Sequence, residues 1–320
     1  MDTNLIKDTN LRNIRKIIRG KGSFTKPELA KKSGLSTMTV GSLINELAET
    51  GEVIVGEAAD NSIGRKATLY SYNPEFKLIL TVALFERKKQ LNFVFSVQNL
   101  YGEILEQSTL DGENKKVQDL NREIANCKKR FANIQAVVVG IPGVVANDRL
   151  SFIDFPQLAD PDFKKILQEG TSLEIYIIND ANAALYGYAF DRNEDGTIAG
   201  VYYPDNYRPG AAVMIDGEVL VGRNGLVGEI THNLQDWQKY SPKSAEEYLT
   251  RTVQEFICYY DPDKIVIFHH DLFDGSVHKA IEEMMDSEYP YCEKPETVLL
   301  NNFDLYYIRG LCFYAINKIL

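Results

Sequence analysis

The chain has 320 residues, 44% apolar, 11% aromatic and 25% charged, with a net charge of −10. That length carries two or three folding units with ample apolar material for a core, and no apolar run approaches the roughly 18 residues of a membrane span. Cys127, Cys258, Cys292 and Cys312 are scattered without a Cys-x-x-Cys pair, which argues against a disulfide framework or a zinc site and, with a polar N-terminus lacking a signal-peptide core, for a cytoplasmic protein with reduced thiols.

The charge is uneven. Residues 1–72 carry 11 Lys and Arg against 8 Asp and Glu, a balance of +3, while the rest carries 24 against 37, a balance of −13. A slightly basic head on an acidic body suits contact with nucleic acid through the head alone. Leu11, Ile14, Ile17 and Ile18 have helical spacing and stop at Gly20-Lys-Gly22. Thr25-Lys-Pro27-Glu28 reads as a capping box with Pro in the first turn of a second helix, which Gly34 ends. Ser36 caps a third helix, in which Val40, Leu43, Ile44 and Leu47 recur on one face. Two short helices around a Gly turn predict a helix-turn-helix. Val53 to Val55 and Leu69 to Tyr72 are strand-like and flank Ser62-Ile-Gly64-Arg65-Lys66, a basic wing tip. The third helix leaves Thr37, Met38, Thr39, Gly41, Ser42, Asn45 and Glu46 outward. Asn45 suits adenine, Ser42 or Thr37 either base type, and Met38 a thymine methyl. No Lys or Arg lies on this helix, so phosphate contacts fall to Arg65, Lys66, Lys26 and the first helix. The plain alternative is a small helical protein-interaction module. Asn73-Pro74 marks the boundary, giving a head over 1–73 and a body over 74–320.

In the body, strands over Leu78 to Leu84 and Gln90 to Val97, a helix over Asp119 to Phe131, and short strands at Val137 to Val139 and Ile175 to Ile178 give an α/β pattern. Ile175-Tyr-Ile-Ile-Asn179-Asp180 is an apolar strand that ends in Asn-Asp and enters a helix; a helix N-cap alone accounts for that pair. Residues 210–232 are the most informative stretch. Asp216-Gly217 between apolar runs is a two-residue hairpin signal, and Gly222, Gly225 and Gly228 then deliver Glu229 and His232, three residues apart. Backbone that approaches closely, followed by an acid and an imidazole, suits a polyhydroxylated ligand; a hairpin with a helix cap is the simpler reading.

Four segments in order resemble the ROK family, which groups bacterial sugar kinases with sugar-responsive repressors: Val137 to Val145 around Gly140-Ile-Pro142-Gly143, Ile175 to Asp180, Gly210 to His232, and Asp261-Pro-Asp-Lys-Ile-Val-Ile. The Gly-Arg wing is similar to the heads of the family's repressors. The resemblance implies an N-terminal winged helix-turn-helix followed by a two-lobed, actin-like (ribonuclease H-like) sugar-kinase fold. It implies a sugar held by Asn179, Asp180, Glu229 and His232, with Glu246 a further contact unless it is only an exposed acid on the helix leading to Asp261.

The family's kinases bind ATP through glycine loops that this chain lacks. Ala83-Leu-Phe-Glu86-Arg-Lys-Lys89, Tyr202 to Gly210 and Phe268-His269-His270-Asp271 stand in their places, so neither nucleotide nor another cofactor is expected. No Cys lies between 233 and 257 to join His232 at the family's zinc. The expected protein is a regulator, in the first instance a repressor, of carbohydrate metabolism. Its partners would be operator DNA, a sugar or sugar-phosphate effector, and further copies of itself as a dimer or tetramer, with no membrane. A sugar kinase with an atypical nucleotide site, or a DNA-binding protein whose body only oligomerises, are the alternatives.

Overall fold

The computed structural model describes residues 3–57, 67–87, 90–146, 149–153, 155–169, 171–203, 209–230, 242–269 and 276–319. The wing-tip residues Arg65 and Lys66 and the loop residue His232 lie outside these. The chain divides into two compact units, one of residues 1–77 with 99–101 and one of 78–98 with 102–320.

The first unit contains α1 (Thr3–Ile18), β1 (Ser23–Phe24), α2 (Lys26–Ser33), α3 (Thr37–Glu49), β2 (Val53–Glu57) and β3 (Thr68–Tyr72). Its core is the apolar helical stripe: Leu11, Ile14, Ile18, Leu29, Val40, Leu43, Ile44 and Leu47 are buried. Thr25 caps α2 reciprocally. Its hydroxyl accepts from the Glu28 amide, while the Glu28 carboxylate takes the Thr25 amide at 2.7 Å. Gly34 closes α2 at φ 72°, and the Ser36 hydroxyl accepts from the Thr39 amide to open α3. The strands pair in the order β1-β3-β2. Arg15 holds the buried Glu52 through its Nε, 3.0 Å from each carboxylate oxygen.

The second unit contains β4 (Leu78–Arg87), β5 (Gln90–Gln98), β6 (Ile104–Asp111), α4 (Val117–Arg130), β7 (Ile134–Ile141), β8 (Gly143–Ala146), β9 (Arg149–Ile153), α5 (Phe163–Gln168), β10 (Glu174–Asn179) and α6 (Asp180–Arg192). Then follow β11 (Thr197–Tyr203), β12 (Gly210–Ile215), β13 (Glu218–Val219), α7 (Pro242–Tyr260), β14 (Lys264–His269), α8 (Ser276–Glu288), β15 (Glu296–Leu300) and α9 (Phe303–Ile319). One sheet runs β10-β7-β4-β5-β6, the other β13-β12-β11-β14-β15. Each is an antiparallel meander, β4-β5-β6 or β11-β12-β13, whose first strand pairs in parallel with a fourth, and that fourth with a fifth. The two lobes therefore share one topology although no sequence repeat is visible.

Strand alternation sorts the side chains into layers. Leu78, Leu80, Val82 and Leu84 face α4 and α5, while Ile79, Ala83 and Phe85 face α6 and α9. The second sheet sends Ala212, Met214 and Val266 to α6 and α9, and Val213, Ile265 and Ile267 to α7 and α8. Helices α6 and α9 thus form the middle layer between the sheets. They cross at Gly187 and Gly310, where a Cβ would lie 2.0 Å from the Tyr306 carbonyl oxygen and 1.6 Å from that of Ala183. Each glycine stands eight residues after an Asn, Asn179 or Asn302, that immediately precedes its helix.

Lys264 opens β14 and is buried between Glu194 at 2.5 Å and Glu296 at 3.0 Å. Desolvation opposes its charge, but the hydrogen bonds it donates to both carboxylates outweigh this and raise its pKa. Lys264→Ala should cost about 1–3 kcal/mol, less than a fully buried pair because both glutamates retain water. A raised lysine stabilises fully below the unfolded value near 10.4 and loses its effect only as pH climbs through the folded one. Denaturant melts at pH 6 and pH 9 should show the same gap between variant and wild type; a gap that closes by pH 9 would remove the ion pair from this account.

Candidate functional site

Three segments converge where β7 and β10 end. Asn179 leaves β10 in extended conformation and caps α6: its Oδ1 accepts from the Asn182 amide at 3.0 Å and its Nδ2 donates to the Gly143 carbonyl at 2.8 Å. The cap reading of Asn179 thus describes its geometry, and the same side chain pins the start of β8. Asp180 is half-buried in the first helical turn, its Oδ1 accepting from the Ala181 amide. Next to it, a Cβ on Gly210, at the start of β12, would sit 3.8 Å from the Ala181 Cβ.

The glycine loop reaches the same place from the other side. Asp216 and Gly217 take φ 50° and 80°, the positive pair that a type I′ turn requires, and β13 pairs with β12 across it. Beyond the hairpin, Gly225 and Gly228 lie so close to neighbouring backbone that a Cβ would come 2.3 Å from the Val145 oxygen and 1.9 Å from the Ala211 oxygen. The Ala211 amide donates to the Gly228 carbonyl at 2.9 Å. The loop is clamped on β8 and β12, and Glu229, half-buried, follows the clamp.

Sequence reasoning missed Tyr307 on α9. It is fully buried and its hydroxyl makes no hydrogen bond of proper geometry, although the Leu84 backbone lies near it. Burial pushes the phenol well above its ordinary pKa, and the Asp180 charge adds to the rise. Phe85, at the end of β4, meets the Tyr307 ring edge-on at 5.1 Å, and Tyr202 stacks on Phe303 at 3.5 Å. The β4–β5 ladder continues to Arg87 opposite Gln90. Nothing in the sequence marks Tyr307: an aromatic residue in an apolar helix reads as core.

A cavity of about 470 Å³ opens beside Glu229. Arg223, Asn224 and Glu229 line one side and Glu255, Phe256 and Tyr259 of α7 the other. Asn179, Asp180 and Glu246 are not among its lining residues. Glu246 lies in the second turn of α7, half-buried, on the helix leading to Asp261. The structure therefore brings Asn179 and Asp180 together, sets Glu229 across the Gly210–Ala211 strand start from them, and places Glu246 on the helix that forms the cavity's far wall.

In the first unit, Thr37, Met38, Ser42 and Asn45 are exposed on α3, Met38 at 86%. Thr39 is half-buried, its hydroxyl 2.9 Å from that of Ser36. Asn45 Oδ1 accepts from Lys26 Nζ at 3.2 Å, and Glu46 pairs with Lys7 at 2.9 Å.

Residues 91–244 match the ROK family. The chain is 24% identical over 246 residues to the xylose repressor of Caldicellulosiruptor bescii, covering 73% of this chain and 60% of that protein. Among solved structures, a ROK family transcriptional regulator, homologous to the Escherichia coli MLC protein, superposes with a TM-score of 0.66 at 15% identity, covering 98% of this chain and 99% of that one. The ROK hexokinase of Thermus thermophilus superposes at 0.58 with 16% identity, over 75% of this chain and 99% of its own. The mixed α/β body thus has the fold of the ROK sugar kinases, and its residues 91–244 are similar to the ROK family.

Proposed function

We propose that this protein is a sugar-responsive, DNA-binding transcriptional regulator, in the first instance a repressor, and not an enzyme. The observation that carries the reading is the exposed face of α3. A well-capped helix with a fully buried apolar side presents Met38, Thr37, Ser42 and Asn45 outward without a cationic residue among them. Solvent-facing α3 after the α2 turn, with β2 and β3 behind it, supports a winged helix-turn-helix head whose α3 enters the major groove. Thr39 then serves the cap more than a base, and the wing's Arg65 and Lys66 take phosphates. The names of the repressor relatives support the same role. In the body, Asn179, Asp180, Glu229, His232 and Glu246 receive a sugar between the lobes, and copies of the chain pair to read two half-sites.

The strand ladder and aromatic packing at the end of β4 support a site without ATP. There the chain runs on as a strand paired with β5 to Arg87, and Phe85 packs on Tyr307, in place of a glycine loop whose amides could cradle phosphate. Selection from random duplexes should return a palindrome with half-sites roughly 10 bp or a multiple apart. A sugar that binds should change operator affinity, and operator should change sugar affinity by the same factor. Turnover of a sugar with ATP and magnesium that disappears in Asp180→Asn would instead make the protein a kinase.

A further inference from the structure

The cavity beside Glu229 is longer than the candidate sugar contacts require. Thr252, Glu255, Phe256 and Tyr259 follow helical spacing along one face of α7. From Thr252 to Tyr259 this is roughly 10 Å of helix. The opposite wall is the glycine loop, fixed by its close approach to Val145 and Ala211. The Tyr248 hydroxyl donates to the Ile230 carbonyl at 3.2 Å, so the loop's end is tied to α7 and the width of the groove is set.

The lining combines two chemistries. Phe256 is buried and forms floor, and Thr252 spends its hydroxyl on the Tyr248 carbonyl, leaving its methyl for the groove. Tyr259 is 76% exposed, an aromatic face with nothing in the core to explain it. Around these stand Arg223, Asn224, Glu229 and Glu255. The Glu255 contact to Arg251 is long, 3.6 Å between two exposed groups, and readily exchanged. A sugar ring offers an apolar C–H face and a rim of hydroxyls, which match an aromatic platform bordered by carboxylates and an amide. The volume of about 470 Å³ falls within the range of small-molecule sites, about 300–1,000 Å³. Among the described lining residues two acids oppose one cation, which disfavours a phosphorylated ligand.

We propose that this groove is a saccharide subsite running from Glu229 to Tyr259, so that the effector is an uncharged disaccharide or longer glycoside and not a free monosaccharide. The proposal rests on the reading of the body as sugar-responsive. One sugar unit occupies the site at Asp180 and Glu229, and the next lies along α7 with Tyr259 beneath it and Glu255 accepting from its hydroxyls.

Calorimetry on the full chain tests this with xylobiose, cellobiose and maltose, against xylose, glucose and glucose 6-phosphate. At least one disaccharide should bind tenfold or more tightly than its own monosaccharide. Tyr259→Ala and Glu255→Gln should each weaken that disaccharide at least tenfold and leave the monosaccharide within twofold, while Tyr259→Phe retains wild-type binding. Both positions are exposed, so melting temperatures should not move. Equal affinities for disaccharide and monosaccharide, tighter binding of the phosphate, or wild-type disaccharide binding in both variants overturns the subsite while sugar responsiveness stands. Binding of no saccharide overturns the subsite and the sugar-responsive reading together, and operator binding measured alongside judges the head separately. If Tyr259→Ala changes sedimentation of the oligomer but not saccharide binding, the groove is a contact between copies and the proposal fails.

Discussion

Gly310→Ala should lower the stability of the body by about 3 kcal/mol or more. The added Cβ would stand 1.6 Å from the Ala183 oxygen and 2.8 Å from the Gly187 nitrogen, both backbone atoms, so no rotamer relieves it. The helices would have to part, and α6 and α9 are the layer on which both sheets pack. Helix propensity favours the substitution by about 1 kcal/mol, which the steric cost exceeds. Gly41→Ala on α3 is the control. There the nearest atom to a new Cβ is 3.8 Å away, on the flexible Lys26 side chain, and the same propensity should stabilise the head by about 0.5–1 kcal/mol. Urea melts that rank the two variants alike would mean the crossing relaxes freely, and the middle layer is then not the rigid element described.

The sequence is most legible where a signal is local. The reciprocal cap of Thr25 and Glu28, the Asp216-Gly217 turn and the Asn179 cap each involve residues a few positions apart, and each is in place. What is not legible depends on partners far along the chain. The shared topology of the two sheets is written in ladders such as Leu80 with Val137, or Val201 with Ile267, which need no similar residues in the two halves. Gly187 and Gly310 read in isolation as weak points in helices; only their mutual approach gives them a purpose. The two-residue β1 is too short to announce itself, and Asn99–Tyr101, inside the body's sequence, clusters with the first unit. Of the candidate site, Asn179, Asp180 and Glu229 stand out as motif residues. Tyr307 and Tyr259 do not, since aromatic residues at helical spacing are ordinary core or surface until the fold sets them against Asp180 or a groove.

A triple substitution, Thr37, Ser42 and Asn45 all to Ala, should abolish sequence-specific DNA binding and leave non-specific binding untouched. The three side chains are exposed on one face of α3, and none is charged. Each direct base contact contributes about 1–3 kcal/mol, and the specific affinity of such proteins exceeds the non-specific by about 4–10 kcal/mol, so losing all three removes most of the difference. Phosphate contacts are a separate matter. Because no cation is removed, the dependence of residual binding on salt should keep its wild-type slope. Changing the wing's Arg65 and Lys66 both to Gln should do the reverse, weakening binding to all duplexes and flattening the slope. Asn45 carries one complication, since its Oδ1 already accepts from Lys26 at 3.2 Å. Both groups are at the surface, so that bond is exchanged for a base edge at small cost, and Lys26→Ala should alter discrimination at the Asn45 position less than Asn45→Ala does. Fluorescence anisotropy against the selected operator and a scrambled duplex, across salt, separates these outcomes. A triple variant that still prefers the operator would move base reading off α3 altogether.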